Sequence, residues 1–272
     1  MKTITSRTNP LYRQWLSEIK HAGRPGHPIW LEGVHLCQAW LEHGGQPQWA
    51  LLAQEAQGSG EIDALARQVE PRAQVWLPQK LLAGLSSLVT PATAMFVAQR
   101  PSKPQAVPGS EQPPSGSCLL LDDVQDPGNV GTLLRTAAAA GVKSVFASAG
   151  TAATWSPKVL RAGQGAQFSL QIHEGVDLVA LVANWQLRSD RPLILATALD
   201  PTAQSLYSLD LTGNVAWIFG HEGRGVAPAL LSGADHRVFI PHESDAVESI
   251  NVSSAAAICL FEQRRQRLAL SQ

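Results

Sequence analysis

Five short, almost uninterrupted apolar runs dominate the second half of this 272-residue chain: Leu119–Leu121, Ser144–Phe146, Leu193–Leu195, Val215–Phe219 and Arg237–Ile240. Helix-like stretches lie between several of them, among them Val130–Ala140 and Leu178–Leu187. A strand with one face in water alternates apolar and polar residues, whereas a strand covered on both faces reads as a continuous apolar run. Apolar strands separated by helices therefore predict an α/β domain built on a parallel sheet. Ligands of such sheets sit beyond the carboxyl ends of the strands, so chemistry is expected in the loops that follow these runs.

Residues 101–117 carry five prolines together with Gly and Ser and cannot form a regular element. They mark a linker between a domain of residues 1–100 and one of residues 118–272. The first domain reads as a smaller α/β unit. Asn9-Pro10 opens a helix through Trp15 and Ile19, and Val34–His43 has helical spacing that stops at Gly44-Gly45. Strands are expected at Ile29–Leu31, Trp49–Ala53, Val75–Leu77 and Ala94–Ala98. Five of the eight tryptophans precede residue 77. They suit a core better than a base-stacking surface, although both uses are open to them.

A hydrophobic fraction of 44% is enough for a real core, and 16% charged residues is too few for a disordered chain. No apolar stretch approaches the twenty or so residues of a membrane span, and the N-terminus lacks a secretory signal. Cys37, Cys118 and Cys259 are odd in number and far apart, with neither metal-ligand nor disulfide spacing. A cytoplasmic protein without a metal is expected. The net charge of −1 does not itself suggest nucleic acid. The first 24 residues, however, hold Lys2, Arg7, Arg13, Lys20 and Arg24 against Glu18 alone.

Three segments carry the chemistry. In Asp122-Asp123-Val124-Gln125-Asp126-Pro127-Gly128-Asn129-Val130-Gly131, a strand ends in a polar turn and Asn129 is a good helix N-cap. Val130, Leu133, Leu134, Ala137 and Ala140 then form the core face. Arg135 points elsewhere, one turn after Gly131, which leaves room for a substrate; the same spacing also describes an arginine on a solvated face. The second segment, Phe219-Gly220-His221-Glu222-Gly223-Arg224-Gly225, places three glycines in six residues directly after a buried strand. Backbone can approach a ligand closely there, and the spacing is not the dinucleotide fingerprint. The third, Ile240-Pro241 to Ser249-Ile250-Asn251-Val252-Ser253-Ser254, surrounds a helix start with more polar groups than one cap needs.

These three segments together resemble the SpoU-type (TrmH-like) RNA 2′-O-ribose methyltransferases of the SPOUT superfamily. Asn129, Gly131 and Arg135 match the first family signature. Phe219, Gly220, Glu222, Gly223 and Gly225 match the second. Ile240, Pro241, Ser249, Ile250, Asn251, Val252 and Ser253 resemble the third. The resemblance implies a parallel sheet with a deep trefoil knot, preceded by a small α/β substrate-binding domain similar to a ribosomal protein. It also implies a homodimer and S-adenosylmethionine as cofactor. By position, the cofactor contacts would be Ala198, Gly220, Ile240, Ile250 and Ser253, and the catalytic group Arg135 with Asn129, Glu222, Ser249 and Asn251. One departure touches the site. Relatives have a shorter loop with a glycine before the serine, whereas here His242–Glu248 has no glycine and three acidic residues.

The implied reaction is methyl transfer to a ribose 2′-hydroxyl of RNA, with ribosomal RNA favoured over transfer RNA. A transfer RNA substrate is one alternative; a catalytically inactive RNA-binding assembly factor is another. A base methyltransferase of the same fold is a further rival, against which the pairing of Asn129 with Arg135 speaks.

Overall fold

The computed structural model describes residues 2–86, 90–101, 111–243 and 245–270. Most of the proline-rich segment, 102–110, lies outside the described residues. The chain divides into two compact units: Met1–Ser102 with Trp155–Phe168, and Lys103–Thr154 with Ser169–Gln272.

The first unit contains β1 (Lys2–Thr3), α1 (Pro10–Glu18), β2 (Ile29–Glu32), α2 (Val34–Glu42), β3 (Trp49–Ala53), α3 (Gly60–Arg67), β4 (Gln74–Leu77), α4 (Gln79–Ala83) and β5 (Ala94–Ala98). They form a mixed five-stranded sheet in the order β1-β4-β3-β5-β2, in which β5 runs antiparallel to both its neighbours. Asn9 caps α1, its side chain accepting from the N–H of Leu11 and Tyr12, and Pro10 supplies the preset first turn. Trp15, Trp30, Trp40 and Trp76 are all buried, so four of the five early tryptophans serve the core, and Trp49 is half-buried against Trp15. The stretch 155–168, which the sequence reading assigned to the second domain, groups with this unit. Its burial explains why. Trp155 and Leu160 are buried, Phe168 packs edge-on to Trp40 at 5.1 Å between ring centroids, and Arg161 lies 3.8 Å from the buried Glu32 carboxylate.

The second unit is the expected parallel α/β sheet. Its elements are β6 (Cys118–Leu121), α5 (Pro127–Ala140), β7 (Ser144–Ala147), then, after the short helix α6 (Pro157–Gly163) of the first unit, β8 (Gln171–Glu174), α7 (Leu178–Gln186) and β9 (Leu193–Thr197). There follow β10 (Gln204–Ser205), β11 (Val215–Phe219), α8 (Pro228–Gly233), β12 (His236–Phe239) and α9 (Val252–Ala269). The seven strands lie in the order β10-β12-β9-β11-β6-β7-β8, and every pair is parallel. Leu120, Ile194, Ile218 and Trp185 belong to one core cluster, and each such side chain contributes roughly 1.5–3 kcal/mol of burial. Helix α9 is fixed by a buried amide. Gln263 accepts from the Trp217 indole N–H at 3.0 Å and donates to Ser117 Oγ and the Gly213 carbonyl.

Two of the seven strands had no apolar run. β8 and β10 are the edge strands, largely exposed or half-buried. Only strands covered on both faces need the continuous pattern. The three cysteines are free and buried, and burial raises all three thiols above their ordinary range. No helix among the described residues is long and apolar enough to cross a membrane.

Candidate functional site

Strands β12, β9, β11 and β6 are consecutive neighbours in the sheet, and register places their carboxyl ends together: Val238 pairs with Thr197, Ala196 with Ile218, and Phe219 with Leu121. The residues just beyond these ends are Ile240, Ala198, Gly220 and Asp122. Three predicted cofactor residues therefore share one edge, as the strand-end rule anticipates. Ala198 N–H is tied to the Val238 carbonyl at 3.0 Å.

After β11 the chain closes on itself. His221 and Gly225 exchange both backbone hydrogen bonds, at 3.1 and 2.8 Å, and Gly225 sits at φ +69°. A Cβ on Gly220 would lie 2.3 Å from the Gly225 and Val226 backbone, so only glycine fits there. Glu222 occupies the tip of this loop. Its carboxylate accepts from the N–H of Gln125 at 3.2 Å, the N–H of Asp126 at 3.0 Å and the Asn129 amide at 3.0 Å.

Here the structure corrects one expectation. The N-cap of α5 is Asp126, not Asn129: Pro127 starts the helix earlier, and the Asp126 side chain accepts from the Asn129 N–H at 2.9 Å. This relieves the Asn129 side chain of capping. A carboxylate only accepts, so Asn129 turns its NH2 toward Glu222, and its oxygen accepts from the Asn251 amide at 3.0 Å. Asn251 in turn aims its oxygen at the start of α9, where it accepts from Ser253 N–H, Ser253 Oγ and Ser254 N–H. The three sequence segments thus form one directional hydrogen-bond chain, Glu222–Asn129–Asn251–Ser253, in which the charge of Glu222 sets the orientation of both amides.

Burial would raise the Glu222 carboxyl. The Asn129 amide and the loop N–H groups outweigh it and hold the group below its ordinary value. A carboxyl lowered on folding stabilises the protein above its unfolded pKa, and that gain is lost as the pH falls through the folded value. Glu222→Gln keeps one acceptor but turns an NH2 toward the Gln125 N–H. We expect it to lower stability at pH 7 by about 1 kcal/mol and to flatten the acid limb of the stability profile, as read by urea unfolding from pH 7 to pH 3. A variant as stable as the parent at pH 7 would contradict the network.

Arg135 is exposed on α5, on the same stripe as Thr132, and makes no hydrogen bond or ion pair among the described residues. Gly131 is buried rather than open, so the expected vacancy in front of Arg135 is not at that glycine. Ser249 is exposed and joins no hydrogen bond among the described residues, while Ile250 is half-buried and Ile240 is buried.

The sequence reading missed three groups. Half-buried Asp122 accepts from the Ala227 N–H at 2.7 Å and so fixes the exit of the glycine loop; burial raises its carboxyl despite that bond. Its position one residue past a strand end was the readable signal. Asp123 adopts φ +55° and accepts from Ser148 Oγ at 2.6 Å. His242 directs Nδ1 at the Ile240 carbonyl, 2.7 Å away, and its Nε2 is buried without a partner among the described residues.

Comparison with known proteins gives a consistent pattern. The family described as "SpoU rRNA Methylase family" matches residues 116–261. An uncharacterised tRNA/rRNA methyltransferase of Synechocystis sp. is 31% identical over 99% of this chain and 96% of its own. The 23S rRNA guanosine 2′-O-methyltransferase RlmP of Bacillus subtilis is 30% identical over 97% of this chain and 100% of its own. Among solved structures, an RNA 2′-O ribose methyltransferase superposes with a TM-score of 0.80 at 28% identity, covering 98% of this chain and 99% of that one. An AdoMet-bound rRNA methyltransferase from Sinorhizobium meliloti does so with a TM-score of 0.80 at 25% identity, over 97% of each chain.

Proposed function

The chain belongs to the SpoU rRNA methylase family, and from that premise we propose that it methylates a ribose 2′-hydroxyl of ribosomal RNA using S-adenosylmethionine. The observation that carries the reading is the Glu222–Asn129–Asn251 chain, which joins three separated segments at the carboxyl edge of the sheet. The relatives that extend over nearly the whole chain bear names of rRNA or tRNA/rRNA methyltransferases.

S-adenosylmethionine, when bound, supplies an electrophilic methyl group on a sulfonium. Gly220, Ile240 and Ala198, at adjacent strand ends, would hold it largely through backbone, with Ile250 and Ser253 beside them. The residues of this chain then have two tasks: to position the ribose and to ease loss of its hydroxyl proton. A guanidinium carries no lone pair to accept that proton at ordinary pH. Arg135 would therefore act by placing positive charge and N–H donors at the developing alkoxide or its neighbouring phosphate, the proton passing to that phosphate or to water as the methyl group leaves the sulfonium for the oxygen. Asn129, held by Glu222, fixes the helix start that presents Arg135. Asn251 links that start to the segment carrying Ser249 and Ile250.

The remaining features of this reading are a deep knot, a homodimer, an RNA-binding role for residues 1–100 and a cytoplasmic site of action. The knot is supported by the order β10-β12-β9-β11, in which successive strands never neighbour each other. The dimer is supported by Phe261 and Leu268, exposed seven residues apart on one face of α9. Incubation with methyl-labelled S-adenosylmethionine and either bulk ribosomal RNA or bulk transfer RNA tests the substrate: label is expected in ribosomal RNA, and label in transfer RNA alone would overturn that choice.

A further inference from the structure

His242 lies in the loop between Ile240 and Ile250. A carbonyl oxygen cannot donate, so the 2.7 Å contact requires His242 Nδ1–H to donate to the Ile240 carbonyl. In the neutral ring this leaves the lone pair on Nε2, as an acceptor. That nitrogen is buried and has no partner among the described residues. A buried acceptor without a donor costs roughly 1–3 kcal/mol, and such a group in a folded protein calls for something that satisfies it. The ring is not aimed by chance: its other nitrogen is fixed to the first residue beyond β12, at the strand-end edge that also carries Ala198 and Gly220.

Resting on the S-adenosylmethionine reading above, we propose that His242 Nε2 accepts a hydrogen bond from the exocyclic amino group of the cofactor's adenine. Three donor types exist on that cofactor: the adenine amino group, the ribose hydroxyls and the methionine ammonium. The surroundings favour the first. The acceptor nitrogen belongs to a ring tied to the carbonyl of buried Ile240. A flat base with apolar faces suits an edge that carries aliphatic side chains; a ribose hydroxyl brings lone pairs that need donors of their own, and the carboxylates an ammonium would seek, Glu243, Asp245 and Glu248, are all exposed. His242 would then select for adenine over bases without an amino group at that position.

The test is titration calorimetry of S-adenosylmethionine and of methylthioadenosine, which lacks the amino-acid part, into the full-length parent and three variants. His242→Asn retains a donor near Nδ1 but places nothing at Nε2. His242→Gln returns an amide oxygen near Nε2. His242→Phe keeps the ring and removes both nitrogens. We expect His242→Asn and His242→Phe to weaken both ligands by roughly tenfold, and His242→Gln to remain within about threefold of the parent. Equal loss in all three variants would show that His242 only braces the loop, and would overturn the proposal. So would unchanged affinity in His242→Phe, or a loss confined to S-adenosylmethionine, which would assign the ammonium. If the parent itself binds neither ligand, the cofactor reading falls and this proposal with it; if the parent binds and the variants match it, only this proposal falls.

Discussion

Arg135→Ala is expected to slow methyl transfer to RNA by about two to four orders of magnitude while leaving the fold and cofactor affinity unchanged. The side chain is exposed and bonds to nothing among the described residues, so its removal should change stability by no more than about 0.5 kcal/mol. Its value must then lie in the reaction. Arg135→Lys keeps the charge but loses the planar fork, and an intermediate rate is expected. Single-turnover transfer rates, beside urea midpoints and cofactor titration, separate the possibilities. A rate within threefold of the parent would remove Arg135 from the mechanism. A large drop in stability would make it a structural residue.

The second large effect is expected at Gly220. Alanine there would force its Cβ to 2.3 Å from the Gly225 and Val226 backbone. The loop must then open, breaking the paired His221–Gly225 hydrogen bonds and carrying Glu222 away from the start of α5. A loss of about 2–4 kcal/mol of stability is expected, together with loss of cofactor binding. Gly223 is the control. A Cβ there meets nothing closer than the His221 ring at 3.8 Å, so Gly223→Ala should be nearly neutral. Equal behaviour of the two variants would mean that this loop is not the rigid element described.

Much of this was readable because burial leaves a compositional trace. Val215–Phe219 and Ala94–Ala98 are apolar throughout because both faces are covered, and the observed strands coincide with the runs. Asn9 caps α1 as expected, and of the four polar residues around the start of α9, Ser249, Asn251, Ser253 and Ser254, it is Asn251 that supplies the cap. The misassignment of the cap at Asn129 has a physical origin. Asp126-Pro127 and Asn129 are both acceptable starts locally; Pro127 at the first helical position sets the earlier one, and the Asn129 amide, relieved of capping, turns to Glu222, more than ninety residues away. Helix α3 was overlooked although Ser59 caps it and two acids occupy its first turn. The edge strands β8 and β10 left no apolar run to read, and the grouping of 155–168 with the first unit depends on Trp40 and Glu32, remote in sequence. The His242 nitrogen that is unpaired among the described residues is invisible in a sequence, because burial and partners are settled only by the fold.

Transfer to a ribose hydroxyl is decided by the identity of the product. Bulk ribosomal RNA is treated with the protein and methyl-labelled S-adenosylmethionine, digested to nucleosides and separated by mass. Labelled 2′-O-methylnucleoside, from RNA that before digestion resists alkaline cleavage at that one position, is the predicted result. Label on a base, or none in any RNA despite bound cofactor, would contradict the account.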